Sequence, residues 1–150
     1  MHKIFFYGLF MDVSLLTEKG LHPEMIGPAV LPDYRIHIGE RATLVPSAPG
    51  RAYGIVMALS DDEARELYSE PSVREYTPER VRVELLDTGE TVETDCYNLP
   101  RELGLVGTNP TYAIELSKLV EALGFDSAYV EEVAAFGASR LNARPQLGES

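Results

Sequence analysis

The stretch Ala52-Tyr53-Gly54-Ile55-Val56-Met57-Ala58-Leu59-Ser60-Asp61-Asp62-Glu63-Ala64-Arg65-Glu66-Leu67-Tyr68-Ser69-Glu70-Pro71 changes its periodicity halfway, and that change decides the fold class. Ala52 to Leu59 is a near-continuous apolar run, the pattern of a central strand. Ser60 followed by Glu63 has the form of a capping box, in which each residue satisfies an orphan backbone donor at a helix start. Ala64, Leu67 and Tyr68 then fall on one face at helical spacing. Pro71 stops the helix, because a proline pushes its predecessor, Glu70, out of the α region. One strand therefore feeds one short helix.

Working outward, the pattern is mostly β. Upstream, Lys3 to Tyr7 is a short aromatic-rich strand stopped by Gly8. A short helix is expected around Val13 to Leu16. From Ala29 to Gly39, Tyr34, Ile36 and Ile38 alternate with Arg35 and His37, a strand with one dry face. Ala42 to Val45 continues as a strand, and Pro46-Ser47-Ala48-Pro49-Gly50 reads as a loop. Downstream, Val81, Val83 and Leu85 alternate with Arg80, Arg82 and Glu84, and Asp87-Thr88-Gly89-Glu90 turns the chain into a strand from Thr91 to Leu99. Asn109-Pro110 opens a helix that Gly124 closes, and Asp126 caps another running to about Gly137.

The count is about six short strands with one helix in the middle and two at the end. A mostly antiparallel sheet that closes into a small barrel with flanking helices satisfies it, an α+β fold. Alternating βαβ units are absent. Residues 1–143 read as one domain, and 144–150, polar and containing Pro and Gly, as a flexible tail.

Composition sets the outer bounds. With 150 residues, 45% hydrophobic and 25% charged, the chain has the make-up of an ordinary globular domain. Its 24 acidic and 13 basic residues give a net charge of -11. Such a surface repels phosphate backbones and anionic lipid, so neither nucleic acid nor membrane is an expected partner. No stretch approaches the ~20 apolar residues that span a bilayer, and the N-terminal apolar run is too short for a signal peptide. A cytoplasmic location is expected. The single cysteine, Cys96, lies in an apparent strand as a buried, inert thiol.

Few residues carry chemistry. His2, His22 and His37 lie in separate segments without metal-ligand spacing, so no metal is expected, and His37 falls on the polar side of its strand. The glycines make no phosphate cradle and the serines no nucleophile elbow. Two places remain. Tyr7-Gly8-Leu9-Phe10 ends the first strand, and Gly8 permits backbone geometry that turns amide groups outward, as anion-binding loops do. Glu70 follows the middle helix, where the negative end of the macrodipole and partial burial would both favour a protonated carboxyl. Neither stands out alone, since many strands end in Tyr-Gly and most Glu are solvated.

Their order is more specific. An opening strand ending Phe6-Tyr7-Gly8-Leu9-Phe10 is followed by Leu67-Tyr68-Ser69-Glu70, then Tyr76, then Val81-Arg82-Val83. Between and after them stand Tyr34-Arg35-Ile36, Leu44-Val45-Pro46, Gly54-Ile55-Val56 and Asn109-Pro110-Thr111-Tyr112. From Lys3 to about Phe136 this order resembles the γ-glutamylcyclotransferase-like (AIG2-like) family. The resemblance implies a small β-barrel enzyme that needs no cofactor and releases 5-oxoproline and a free amine or amino acid from a γ-glutamyl small molecule.

It also implies that Tyr7, Gly8, Leu9 and Phe10 form the substrate loop, that Glu70 is the acid/base, and that Tyr76 and Tyr112 touch the substrate. A homodimer is one assembly consistent with it. Leu9 and Phe10 stand where the family's loop usually reads Ser-Asn, and Pro71 stands where Gly usually follows the Glu. Three other readings stay open: ring closure on a γ-glutamylamine, a non-catalytic small-molecule or peptide-binding barrel of the same fold, and a structural interaction role.

Overall fold

The computed structural model describes residues 1–137; the tail expected at 144–150 lies outside them. In chain order the elements are β1 (His2–Phe6), a 3-10 turn (Leu9–Met11), α1 (Val13–Glu18), β2 (Glu24–Ile38), β3 (Ala42–Leu59), α2 (Asp61–Leu67), β4 (Thr77–Leu85), β5 (Thr91–Asn98), α3 (Arg101–Gly104) and α4 (Pro110–Ala122). A last helical segment, α5, covers 127–137.

The five strands close into a barrel in the order β1-β3-β2-β4-β5. β3 is central, antiparallel to β1 from His2↔Leu59 to Phe6↔Ile55 and to β2 from Glu24↔Ala58 to Ile38↔Ala42. The barrel shuts where β1 meets β5 in parallel at Ile4↔Asp95, so the sheet is mixed rather than wholly antiparallel. Closure leaves no strand without a neighbour on both sides, although β2 and β4 meet only at Ala29↔Leu85 and Val30↔Glu84.

Five strands replace the expected six because 42–45 and 52–59 are one strand. The intervening Pro46–Gly50 does not leave the sheet. Tyr34 pairs with Pro46 and Pro32 with Arg51, so residues 47–50 of β3 bulge opposite Asp33 alone. Asp33 takes a positive φ of 67° there, a conformation that short polar side chains tolerate better than most. Prolines at a bulge lose no ladder hydrogen bond, which is why this loop-like composition sits within a strand.

The local helix signals read from sequence appear as hydrogen bonds. Ser60 Oγ accepts from the Glu63 N–H at 3.1 Å, and Glu63 Oε1 accepts from the Ser60 N–H at 3.0 Å. Asn109 Oδ1 accepts from the Tyr112 N–H at 3.0 Å, with Pro110 at the first helical position. Gly124 follows α4 with a φ of +82°, where a side chain would be strained.

The core fills the barrel and extends beneath the terminal helices. Ile4, Val56 and Leu59 of the strands, Leu116 and Val120 of α4, and Tyr129 and Val133 of α5 are all fully buried. Arg51 of β3 secures α5 by pairing with Glu132 at 2.8 Å beneath the Tyr129 ring. Cys96 is buried, and that burial pushes its thiol well above the ordinary range. His37 departs from the solvated position expected of it, since its ring packs edge-on against Phe136 at 5.4 Å.

Candidate functional site

At the end of the barrel where β1 and β5 finish and β3 and β4 begin, the side chains do not close over the interior. A cavity of about 370 Å³ opens there, within the size range of small-molecule pockets. Phe5 to Phe10, within β1 and after it, the tyrosines Tyr68, Tyr76, Tyr97 and Tyr112, and the charged pair Glu40 and Arg41 all line it.

The loop after β1 owes its shape to packing. Gly8 has an ordinary extended backbone, with φ -106°. The expectation that Gly8 supplies unusual dihedrals is therefore corrected to a matter of space. A Cβ on Gly8 would lie 2.6 Å from the Tyr112 hydroxyl, a distance no real contact tolerates. That hydroxyl accepts the Leu9 N–H at 3.4 Å, a long bond that a better acceptor would outcompete. Phe10 packs edge-on against Phe6 with ring centroids 6.2 Å apart. Leu9 and Phe10 thus join the core instead of presenting polar side chains.

The tyrosines divide into anchored and stacked. Tyr7 donates to the Tyr97 carbonyl at 2.7 Å, and Tyr76 donates to the Ala42 carbonyl at 2.6 Å. Tyr68 lies flat on Tyr97, with centroids 3.7 Å apart and planes 6° from parallel. Burial raises Tyr7, Tyr68 and Tyr76 above their ordinary values and lifts Tyr112 to about 12. These hydroxyls stay neutral near pH 7, so they are suited to hydrogen bonding and not to taking protons.

Six of the residues singled out from sequence, Tyr7, Gly8, Leu9, Phe10, Tyr76 and Tyr112, line this cavity together. Glu70 does not. It lies three residues past the end of α2, in a turn where its carbonyl accepts the Val73 N–H at 3.0 Å. Its carboxylate takes both contacts of the Lys19 ammonium, at 2.9 and 3.0 Å. The two side chains are 34% and 38% exposed. The burial at a helix terminus expected for Glu70 is thus replaced by a half-exposed ion pair with the end of α1. The cavity begins two residues further on, at Ser72 and Val73.

Sequence reasoning passed over Glu40, Arg41, Tyr68 and Tyr97 in the lining. Tyr68 and Tyr97 read as core residues of a helix and a strand. Glu40 and Arg41 sit in the β2–β3 turn, where charged residues are ordinary, so only the neighbouring Gly39 hinted at close packing. A Cβ on Gly39 would meet the Val106 carbonyl at 2.4 Å. Among the described residues no cluster of His, Cys, Asp and Glu is placed to hold a metal ion, and no helix is long and apolar enough to cross a membrane.

A barrel of this topology matches a known class. The family model described as gamma-glutamyl cyclotransferase, AIG2-like, matches residues 4–114, and the chain belongs to that family. Among solved structures it is similar to one titled "Gamma-glutamyl cyclotransferase", with 17% identity, TM-score 0.70, and 89% of this chain and 86% of that one covered. It is also similar to YkqA from Bacillus subtilis, with 21% identity and TM-score 0.74, covering 92% of this chain but 54% of that one. A third is the uncharacterized protein loc79017 from Homo sapiens, with 18% identity, TM-score 0.67, and 89% and 86% covered. At these identities the likeness is one of fold. No curated protein matches the chain.

Proposed function

We propose that the cavity binds a small γ-glutamyl compound and that the chain closes it to 5-oxoproline, releasing an amine or amino acid, with Glu70 as acid/base. Support comes from family membership and from one observation above all: the Gly8 backbone and the Tyr112 hydroxyl meet in the lining of a pocket of ligand size.

In this reading the α-amine attacks the γ-carbonyl of its own molecule, so the protein needs only to fold the ligand into a near-attack shape. The ammonium, with an ordinary pKa near ~8, must first lose a proton, and the leaving nitrogen must gain one. The carbonyl oxygen becomes an oxyanion, for which the Leu9 N–H is a donor once Tyr112 yields it; such a donor is worth roughly 3–4 kcal/mol. The proton work falls to Glu70, whose carboxylate must leave Lys19 and turn toward Ser72. An ion pair this exposed is worth at most about 1 kcal/mol after solvent screening, so the turn is cheap beside the gain.

The non-catalytic reading, a barrel that binds without turnover, is favoured by a specific observation. The Glu70 carboxylate faces Lys19, and the cavity lining is mainly aromatic and aliphatic, without Glu70.

One assay separates the two. 5-Oxoproline release is measured from a panel of γ-glutamyl dipeptides and γ-glutamylamines, alongside their binding by calorimetry. Ring closure predicts release that falls about 10²–10⁴-fold in Glu70→Gln, the usual range for general acid–base catalysis, with binding kept. Binding without release in the unmodified protein would establish the second reading.

A further inference from the structure

Glu40, like Arg41 beside it, lines the cavity but has no task in the proposed chemistry. Its backbone is held on both sides. The Glu40 N–H donates to the Val106 carbonyl at 2.8 Å, and its carbonyl accepts from Asn109 Nδ2 at 3.1 Å. The side chain lies directly over Gly107, where a Cβ would be 2.5 Å from Glu40 Cγ and 3.1 Å from Oε2. A glycine at 107, in a φ of +75°, thus leaves room for the Glu40 side chain.

Charge balance there is one-sided. Arg41 beside it is already engaged: its Nη1 lies 2.7 Å from Glu75 Oε1 and 3.3 Å from the Ser72 carbonyl, and its guanidinium sits 5.8 Å from the Tyr76 ring centre. Among the described residues the Glu40 carboxylate has no hydrogen bond or ion pair. Cations in that position meet an uncompensated negative charge and, further in, electron-rich aromatic faces, both of which attract them. Anions would have to displace Glu75 from Arg41.

We infer that Glu40 is a specificity-determining residue: the cavity selects a ligand with an aliphatic ammonium group on a mainly apolar body, and Glu40 receives that ammonium. The inference rests on the same cavity being the ligand site. A γ-glutamyl compound supplies such a group as its α-ammonium or, for a γ-glutamylamine built on a diamine, at its far end. Selection by charge at Glu40 is separate from the proton transfer assigned to Glu70.

The test uses three probes of one shape: 2-phenylethylammonium, the neutral 2-phenylethanol and the anion 3-phenylpropanoate. Each is titrated into the full chain, with binding read from tyrosine ring shifts in NMR spectra. The expected result is an ammonium affinity about tenfold above that of the alcohol, the equivalent of ~1.4 kcal/mol, and weaker binding still for the anion. Glu40→Gln brings the ammonium down to the alcohol, and Glu40→Lys inverts the order in favour of the anion. Glu90→Gln, an exposed acid in the turn between β4 and β5 at the far end of the barrel, controls for overall charge and leaves the order intact.

Equal affinities for the three probes, a preference that survives Glu40→Gln, or no binding by any probe would overturn the inference. Failure of the proposed reaction reads differently: the probes rank as expected, yet γ-glutamyl compounds neither bind nor release 5-oxoproline.

Discussion

The two places that carry the family resemblance, the loop after β1 and the turn after α2, are held by different forces. The first is packed. Gly8 sits against the Tyr112 hydroxyl, Phe10 against Phe6, and Leu9 and Phe10 are half-buried against the core. The second is tethered at the surface, with Glu70 turned to Lys19 and away from the cavity. Packing in a close interior allows one arrangement and penalises others steeply. A half-exposed ion pair allows several at small cost. The loop half of the candidate site is therefore closely packed, and the acid proposed for chemistry is the adjustable part.

The largest effect should come from breaking the rigid side. Gly8→Ala places a methyl against Tyr112 and is expected to destabilise the fold by about 1–3 kcal/mol, as overpacking does, read from the urea midpoint. Adding Tyr112→Phe removes the hydroxyl and leaves the next ring atom 4.0 Å away, an ordinary contact. The double variant should recover most of the loss, giving a coupling energy that distant sites do not show. If the two losses simply add, the contact is not what requires glycine.

The tethered side should respond less. Lys19→Met is expected to change stability by under about 1 kcal/mol while freeing Glu70. If Glu70 performs the proton transfers, 5-oxoproline release per enzyme should rise or hold. A fall would mean that Lys19 positions the carboxylate and does not merely occupy it.

The smallest expected effect concerns the start of α2, which anchors that turn. The Ser60 backbone N–H, and after it that of His22, hold Glu63 below its ordinary 4.5. With the folded value depressed, the contribution to stability is present above about pH 4.5 and is lost as the pH falls through the lowered value. Glu63→Gln should therefore lower stability slightly in the neutral range, leave it unchanged at low pH, and so flatten the acid limb of the stability profile. Thermal melts between pH 3 and 7 check it, and an unaltered acid limb would count against the capping contact.

Features set by a few neighbouring residues were legible in the chain itself. Ser60 with Glu63, Asn109 with Pro110, Gly124, and the turn through Asp87-Thr88-Gly89-Glu90 each act through hydrogen bonds or dihedrals within about four positions. The same local reasoning misjudged Pro46–Gly50, because composition reports loop-like flexibility while the partner strand β2 holds both ends in register. It also gave the wrong reason for Gly8, whose constraint comes from a side chain 104 positions later.

The sequence by itself determined an acidic α+β barrel chain of the cyclotransferase family, with a tyrosine-glycine loop as its landmark, because strand alternation, caps and turn residues are short-range physics. Only the tertiary structure decided which charges face the cavity. Lys19 meets Glu70 across 51 positions, and Arg41 meets Glu75 across 34. Which acid is left to meet a ligand is settled by such distant pairings, since the energy of a charge depends on what surrounds it in space and hardly at all on its neighbours along the chain.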